Sequence, residues 1–276
     1  MDRRLTPFSG RVAHASLRGE IEAPFTEGEP AQVAVPLADL LATPGGARDR
    51  QVLLGDAVLV IDRRDGHAFI RAAKDGYCGW LAQTALGPAA PVTHAVIAPA
   101  THLYPEPRVQ ARETAALSFG ARLHVIGEDR NFLETTMGWV PAPHLAPIRQ
   151  AFSDPVAVAA MFLGTPYLWG GNSRAGIDCS GLAQTALLAC GIPCPGDSDL
   201  QQAIGAEVAE ADLRRGDLMF WKGHVALVAD ERTILHATGH AMAVVTEGLA
   251  EATARILAQG GGPVIARRRP GGPALP

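Results

Sequence analysis

What the chain lacks narrows it first. No stretch approaches the ~18 consecutive apolar residues of a membrane-spanning helix, so no membrane association is expected. No basic surplus exists either: the formal net charge is −4 at pH 7, which argues against a nucleic-acid surface. Cysteine is scarce, with 4 in 276 residues. That is too few for a disulfide scaffold, and reduced thiols are expected. Cys190 and Cys194 flank a predicted helix end, but no further ligands stand at short spacing, so no zinc site and no cofactor are expected. The opening Met1-Asp2-Arg3-Arg4 is basic, yet Gly10, Arg11, His14, Arg18 and Glu20 interrupt any apolar core behind it. A secretory signal is therefore not read there, and a cytoplasmic location is expected. The remaining composition, 47% apolar and 19% charged, is that of a globular protein with room for two or three small domains.

Chemistry concentrates near the middle, in Pro166-Tyr167-Leu168-Trp169-Gly170-Gly171 and then Gly176-Ile177-Asp178-Cys179-Ser180-Gly181. Leu182, Ala183, Ala186, Leu187 and Cys190 follow on one face at helical spacing. Gly191 suits the C′ position and Pro193 the stop. Asp178 can cap the first turn. Cys179 then sits where unpaired N–H groups and the helix dipole favour thiolate over thiol. A free cysteine is often only a small buried hydrophobe, but a sharp glycine-flanked turn into a helix displays reactive groups.

A nucleophilic thiol needs a base and a group to orient that base. Residues 215–221 read as a strand, Lys222-Gly223 as a tight turn, and 224–228 and 233–237 as two further strands. His224 and His236 thus fall on antiparallel neighbours that can set their imidazoles side by side. One can take the proton of Cys179 and the other can hold the first in the right tautomer.

The order Tyr-Leu-Trp-Gly-Gly, Asp-Cys-Ser-Gly, Gly-Asp-Leu-Met-Phe-Trp, Gly-His-Val-Ala-Leu-Val and Leu-His-Ala resembles the NlpC-type cell-wall cysteine peptidases, papain-like hydrolases of bacterial peptidoglycan peptides. The resemblance spans residues 152–267. It implies an α+β, papain-like catalytic domain, with a helix bearing the cysteine packed on an antiparallel sheet. Within it Cys179 would be the nucleophile, His224 the base and His236 the orienting residue. It also implies a second oxyanion donor from Tyr167 beside the N–H of Cys179, whereas Trp169 is expected to pack under the Gly170-Gly171 turn.

Upstream, short strands alternate with glycine turns, as in a small barrel. The pattern then recurs: Leu117-Ser118-Phe119-Gly120-Ala121-Arg122 answers Leu53-Leu54-Gly55-Asp56-Ala57, and Gly138-Trp139-Val140 answers Gly79-Trp80-Leu81. Two copies of a ~55-residue unit indicate a duplicated domain rather than a solenoid. Both copies resemble bacterial SH3-like domains. The expected organisation is an N-terminal arm (1–30), barrels at 31–88 and 89–148, the peptidase domain at 149–270 and a tail at 271–276.

Family members cut between γ-linked D-glutamate and a diamino acid, often meso-diaminopimelate, and some require a free N-terminal L-alanine. By that resemblance the expected partner is a murein peptide and the chain a monomer. Asp197 would pair the ammonium, Ser198 and Ser180 would bind the D-glutamate portion, and Asp178 would line the site. Tyr77, and more faintly Asp56, would be contacts from a barrel wall. Asp197 equally suits a helix N-cap. Many relatives carry Arg where this chain has Gly196, which leaves the α-carboxylate without that cation. Two alternatives stand beside this reading: a papain-like amidase or acyltransferase on another acyl substrate, and a non-catalytic wall-binding module.

Overall fold

The computed structural model describes residues 1–148 and 152–271. It divides into two compact units, Met1–Gln150 and Ala151–Pro276.

The first unit is all β. Its larger sheet has seven strands, in the order Arg48–Leu53, Leu37–Leu41, Cys78–Ala82, His67–Ala72, Ala57–Arg64, Glu29–Val33 and Leu86–Pro88. Val33, Leu40, Val60, Ile70 and Leu81 alternate inward to form its core. The N-terminal arm is tied to this sheet: Val12 packs on a patch of Ile61, Phe69, Cys78 and Trp80. The Cys78 amide donates to Arg4 O at 2.6 Å, and Arg11 pairs with Asp62 at 2.6 Å.

A second core gathers Val96, Leu103, Leu117, Leu123 and Val140. The duplication reaches individual hydrogen bonds. In the first copy Val33 N donates to Asp56 O and Gly55 N to Val33 O; in the second Val96 N donates to Ala121 O and Gly120 N to Val96 O. Gly55 and Gly120 sit at φ 81° and 86°, left-handed values that favour glycine in that turn.

The second unit carries helices α1 (Pro155–Ala160), α2 (Cys179–Ala189), α3 (Ser198–Gln201) and α4 (Leu249–Ala258). Its sheet is built from β1 (Ala206–Glu207), β2 (Leu218–Trp221), β3 (His224–Val228), β4 (Thr233–Thr238), β5 (Ala243–Gly248) and β6 (Ala266–Arg269). The spatial order is β1-β6-β2-β3-β4-β5, antiparallel throughout. Leu182, Ala183, Ala186 and Leu187 of α2 are buried, and α2 packs on β3 and β4. Ala252 and Ile256 of α4 cover Met219, Trp221, Ala226, Val228 and Ile234. Gly191 closes α2 at φ 72°, with Ile192 N donating to Leu187 O at 2.9 Å.

α3 is only four residues long, and α4 begins at Leu249, so Glu247 belongs to β5.

Candidate active site

The loop before α2 is closed by one carboxylate. Asp178 accepts from Gly181 N at 2.6 Å, from Gly170 N at 2.8 Å and from Ser180 Oγ at 3.0 Å. It caps the helix and ties the Gly170 loop to the first helical turn. Both Asp178 and Ser180 thus have defined partners within the protein. Glycine at 181 is required by space: a Cβ there would stand 2.6 Å from Gly171 O and 2.9 Å from Asn172 Nδ2.

Cys179 opens α2 and is 7% exposed. The backbone N–H groups of Val225, the residue after His224, and of Ser180 and Cys179 act to favour the thiolate. The expectation of a resting thiolate is corrected. Burial, and then the Asp178 charge, push the thiol up to about 12, against the opposing pull of the Val225, Ser180 and Cys179 amides. Desolvation outweighs the helix-terminus effect here.

The paired imidazoles are both held toward the neutral form. His224 Nε2 lies 2.9 Å from His236 Nδ1, with ring centroids 5.1 Å apart. Burial, then His236 and Arg255, lower His224 to about 3. Burial lowers His236 to about 4, opposed by Glu247. With Nε2 engaged by His236, Nδ1 is the His224 nitrogen left for another partner.

Glu247 was missed by the sequence reading. Its Oε2 lies 3.2 Å from His236 Nε2. The approach is off the N–H axis, so the contact is electrostatic rather than a directed hydrogen bond. Arg255 of α4 grips the same carboxylate through Nε at 2.8 Å and Nη2 at 2.6 Å. Register would have found it. His236 is paired with Val245 and Ile234 with Glu247, so Glu247 is one diagonal step from His236 on the same face.

Tyr167 is half-buried, and its phenol is pushed up by burial and then by the charges of Cys179 and Asp178. Trp169 is 70% exposed, so the packing expected for it is not found. Asp197 stands at the N-cap position of α3, but its side chain makes no capping bond. Ser198 is buried. Gln201, also missed, donates to Ser180 O and Pro195 O at 3.0 Å each, fastening the segment that carries Asp197 and Ser198 to the head of α2. Tyr77 lies in the core of the first barrel, with the Arg50 guanidinium 5.5 Å from its ring centroid. Asp56 is a turn anchor, accepting from Leu53 N at 3.0 Å and paired with Lys74 at 2.7 Å. Among the described residues no group of three or more His, Cys, Asp or Glu side chains could hold a metal ion.

A thiol at the head of a helix that packs on an antiparallel sheet bearing paired imidazoles is the arrangement of a cysteine-type hydrolase of papain-like fold. Residues 164–255 match the NlpC/P60 family, and residues 40–86 match the bacterial dipeptidyl-peptidase Sh3 domain. A γ-D-glutamyl-L-lysine dipeptidyl-peptidase of Bacillus subtilis is 31% identical over 71% of this chain and 75% of its own. One of the same name from Bacillus cereus is 28% identical over 72% and 69%. The chain belongs to the NlpC/P60 family. Its fold is that of an NlpC/P60 protein crystallised from Bacillus cereus, with a TM-score of 0.74 at 22% identity, covering 87% of this chain and 99% of that one.

Proposed function

We propose that this hydrolase cuts the amide between the γ-carboxyl of D-glutamate and a diamino acid in peptidoglycan-derived peptides, and that it requires a free N-terminal L-alanine. The observation that carries the reading is the buried Cys179 thiol at the head of α2, a helix packed on the two strands whose His224 and His236 are hydrogen-bonded at 2.9 Å. The names of the two Bacillus relatives support the bond.

In this scheme His224 Nδ1 takes the thiol proton as the sulfur attacks the carbonyl carbon. The N–H of Cys179 and Tyr167 receive the oxyanion. His224 then returns the proton to the leaving amine, and water, deprotonated by the same nitrogen, releases the acyl group. His236 holds the ring through the cycle. Asp197 pairs with the substrate ammonium, and Ser198 and Ser180 contact the D-glutamate. Gly196 brings no cation to its α-carboxylate, so that group needs a different partner here.

The test is release of L-Ala-D-Glu from L-Ala-γ-D-Glu-meso-diaminopimelate and from its L-lysine analogue, each with a free and an acetylated N-terminus, followed by mass spectrometry. Cleavage of the free-amine peptides alone supports the proposal, and their ratio assigns the diamino acid. Turnover of an ester or lipid amide with neither peptide cut would favour the acyltransferase reading. Binding without turnover would favour the wall-binding one.

A further inference from the structure

We propose that Glu247 is a positioning residue for the imidazole pair: its carboxylate selects the tautomers of His236 and His224 that leave His224 Nδ1 unprotonated, and Arg255 holds that carboxylate in place. The proposal rests on the roles given above to Cys179, His224 and His236.

His236 is 1% exposed, so no water shares its nitrogens freely. A lone pair on Nε2 facing a carboxylate oxygen at 3.2 Å is repelled, and an N–H there is attracted, even off axis. The proton of neutral His236 therefore sits on Nε2, and Nδ1 presents a lone pair. His224 Nε2, 2.9 Å away, must then be the donor. Its own single proton is thereby placed on Nε2, and Nδ1 is the acceptor turned to the thiol. Each link follows from the one before it, and the first link is the charge of Glu247.

The sheet builds this row directly. Glu247, His236 and His224 come from three adjacent strands, β5, β4 and β3. Arg255 reaches the row from α4, bidentate to the carboxylate, a geometry that fixes both its position and its plane. The charged and titratable groups that act on the two rings are Glu247 from β5, Arg255 from α4 and His240 from the β4–β5 turn, besides the rings themselves; α2, which carries Cys179, packs on β3 and β4. Glu247 raises the affinity of both rings for a proton, and Arg255 lowers it.

Those opposite signs separate positioning from mere clamping. Glu247→Gln removes the anion, and its amide N–H₂ can donate to His236 Nε2, which inverts both tautomers. The expected result on the tripeptide substrate is a fall in kcat/KM of about 10- to 100-fold, the range for loss of a partner that orients a ligand or base, with KM little changed. The acid limb of the pH profile moves to lower pH. Arg255→Leu breaks the same ion pair but leaves the anion, and the acid limb moves to higher pH. If the pair only fastens α4 to the sheet, both variants lose activity in parallel with no opposed movement of the limb, and the proposal falls. Nitrogen-15 shifts of the imidazoles in the unaltered protein give a reading that no misfolded variant can spoil. A proton found on Nδ1 of His236 overturns the proposal. His236→Ala with undiminished turnover would instead sink the catalytic reading on which it rests.

Discussion

Asp178→Ala tests the join between fold and chemistry, because one carboxylate serves both. The substitution deletes the bonds from Gly181 N, Gly170 N and Ser180 Oγ. Loss of the N-cap costs about 1 kcal/mol. Gly170 is buried, so its orphaned amide adds about 1–3 kcal/mol. The two losses share one side chain and are not fully additive, giving about 3 kcal/mol in total. For a unit of this size that lowers Tm by about 10 °C. The thiol responds in the opposite sense to the fold. The Asp178 anion is one of the causes that push Cys179 up to about 12, so removing it lowers that value and raises the thiolate fraction at any given pH. Scanning calorimetry reads the first effect. The pH midpoint of iodoacetamide alkylation reads the second, and the midpoint is chosen over the rate because a loosened loop would raise the rate by itself. Peptide turnover should fall, since the loop bearing Tyr167 and Gly170 has lost its tie. A Tm within about 3 °C of the parent, less than 1 kcal/mol on the same scale, would refute the accounting. A midpoint that moved up would refute the electrostatics.

Further outcomes are expected. Cys179→Ala should abolish peptide release while leaving the melting transition nearly unchanged, checked by mass spectrometry and calorimetry on the same sample. Gly181→Ala places a methyl 2.6 Å from a backbone oxygen, and should cost about 1–3 kcal/mol by overpacking and remove most of the activity. Burial lowers His224 to about 3, and the base works only when neutral. Activity should therefore persist below the ordinary histidine value of about 6.5, and a kcat/KM profile that breaks at or above it would contradict this. Gln201→Ala should raise KM more than it lowers kcat, because it frees the segment carrying Asp197 and Ser198 from Ser180 O and leaves the imidazoles alone.

Much of this protein is written locally. The cap, face and stop of α2 lie within consecutive residues, and so do the turns that separate β2, β3 and β4. The turns at Gly55 and Gly120 are equally legible, since the left-handed φ they adopt favours glycine. The ionisation of Cys179 was not legible: the helix terminus is a local feature, but burial is supplied by everything packed over it, and burial wins. The exposure of Trp169 was hidden for the same reason. Glu247 lies far along the chain from Cys179, and only the pairing of β4 with β5 sets it behind His236, while α4 returns to place Arg255 upon it. Sequence spacing determines which residues share an element. The register between strands, and what covers them, decides which charges meet, and that register exists only once the sheet has formed.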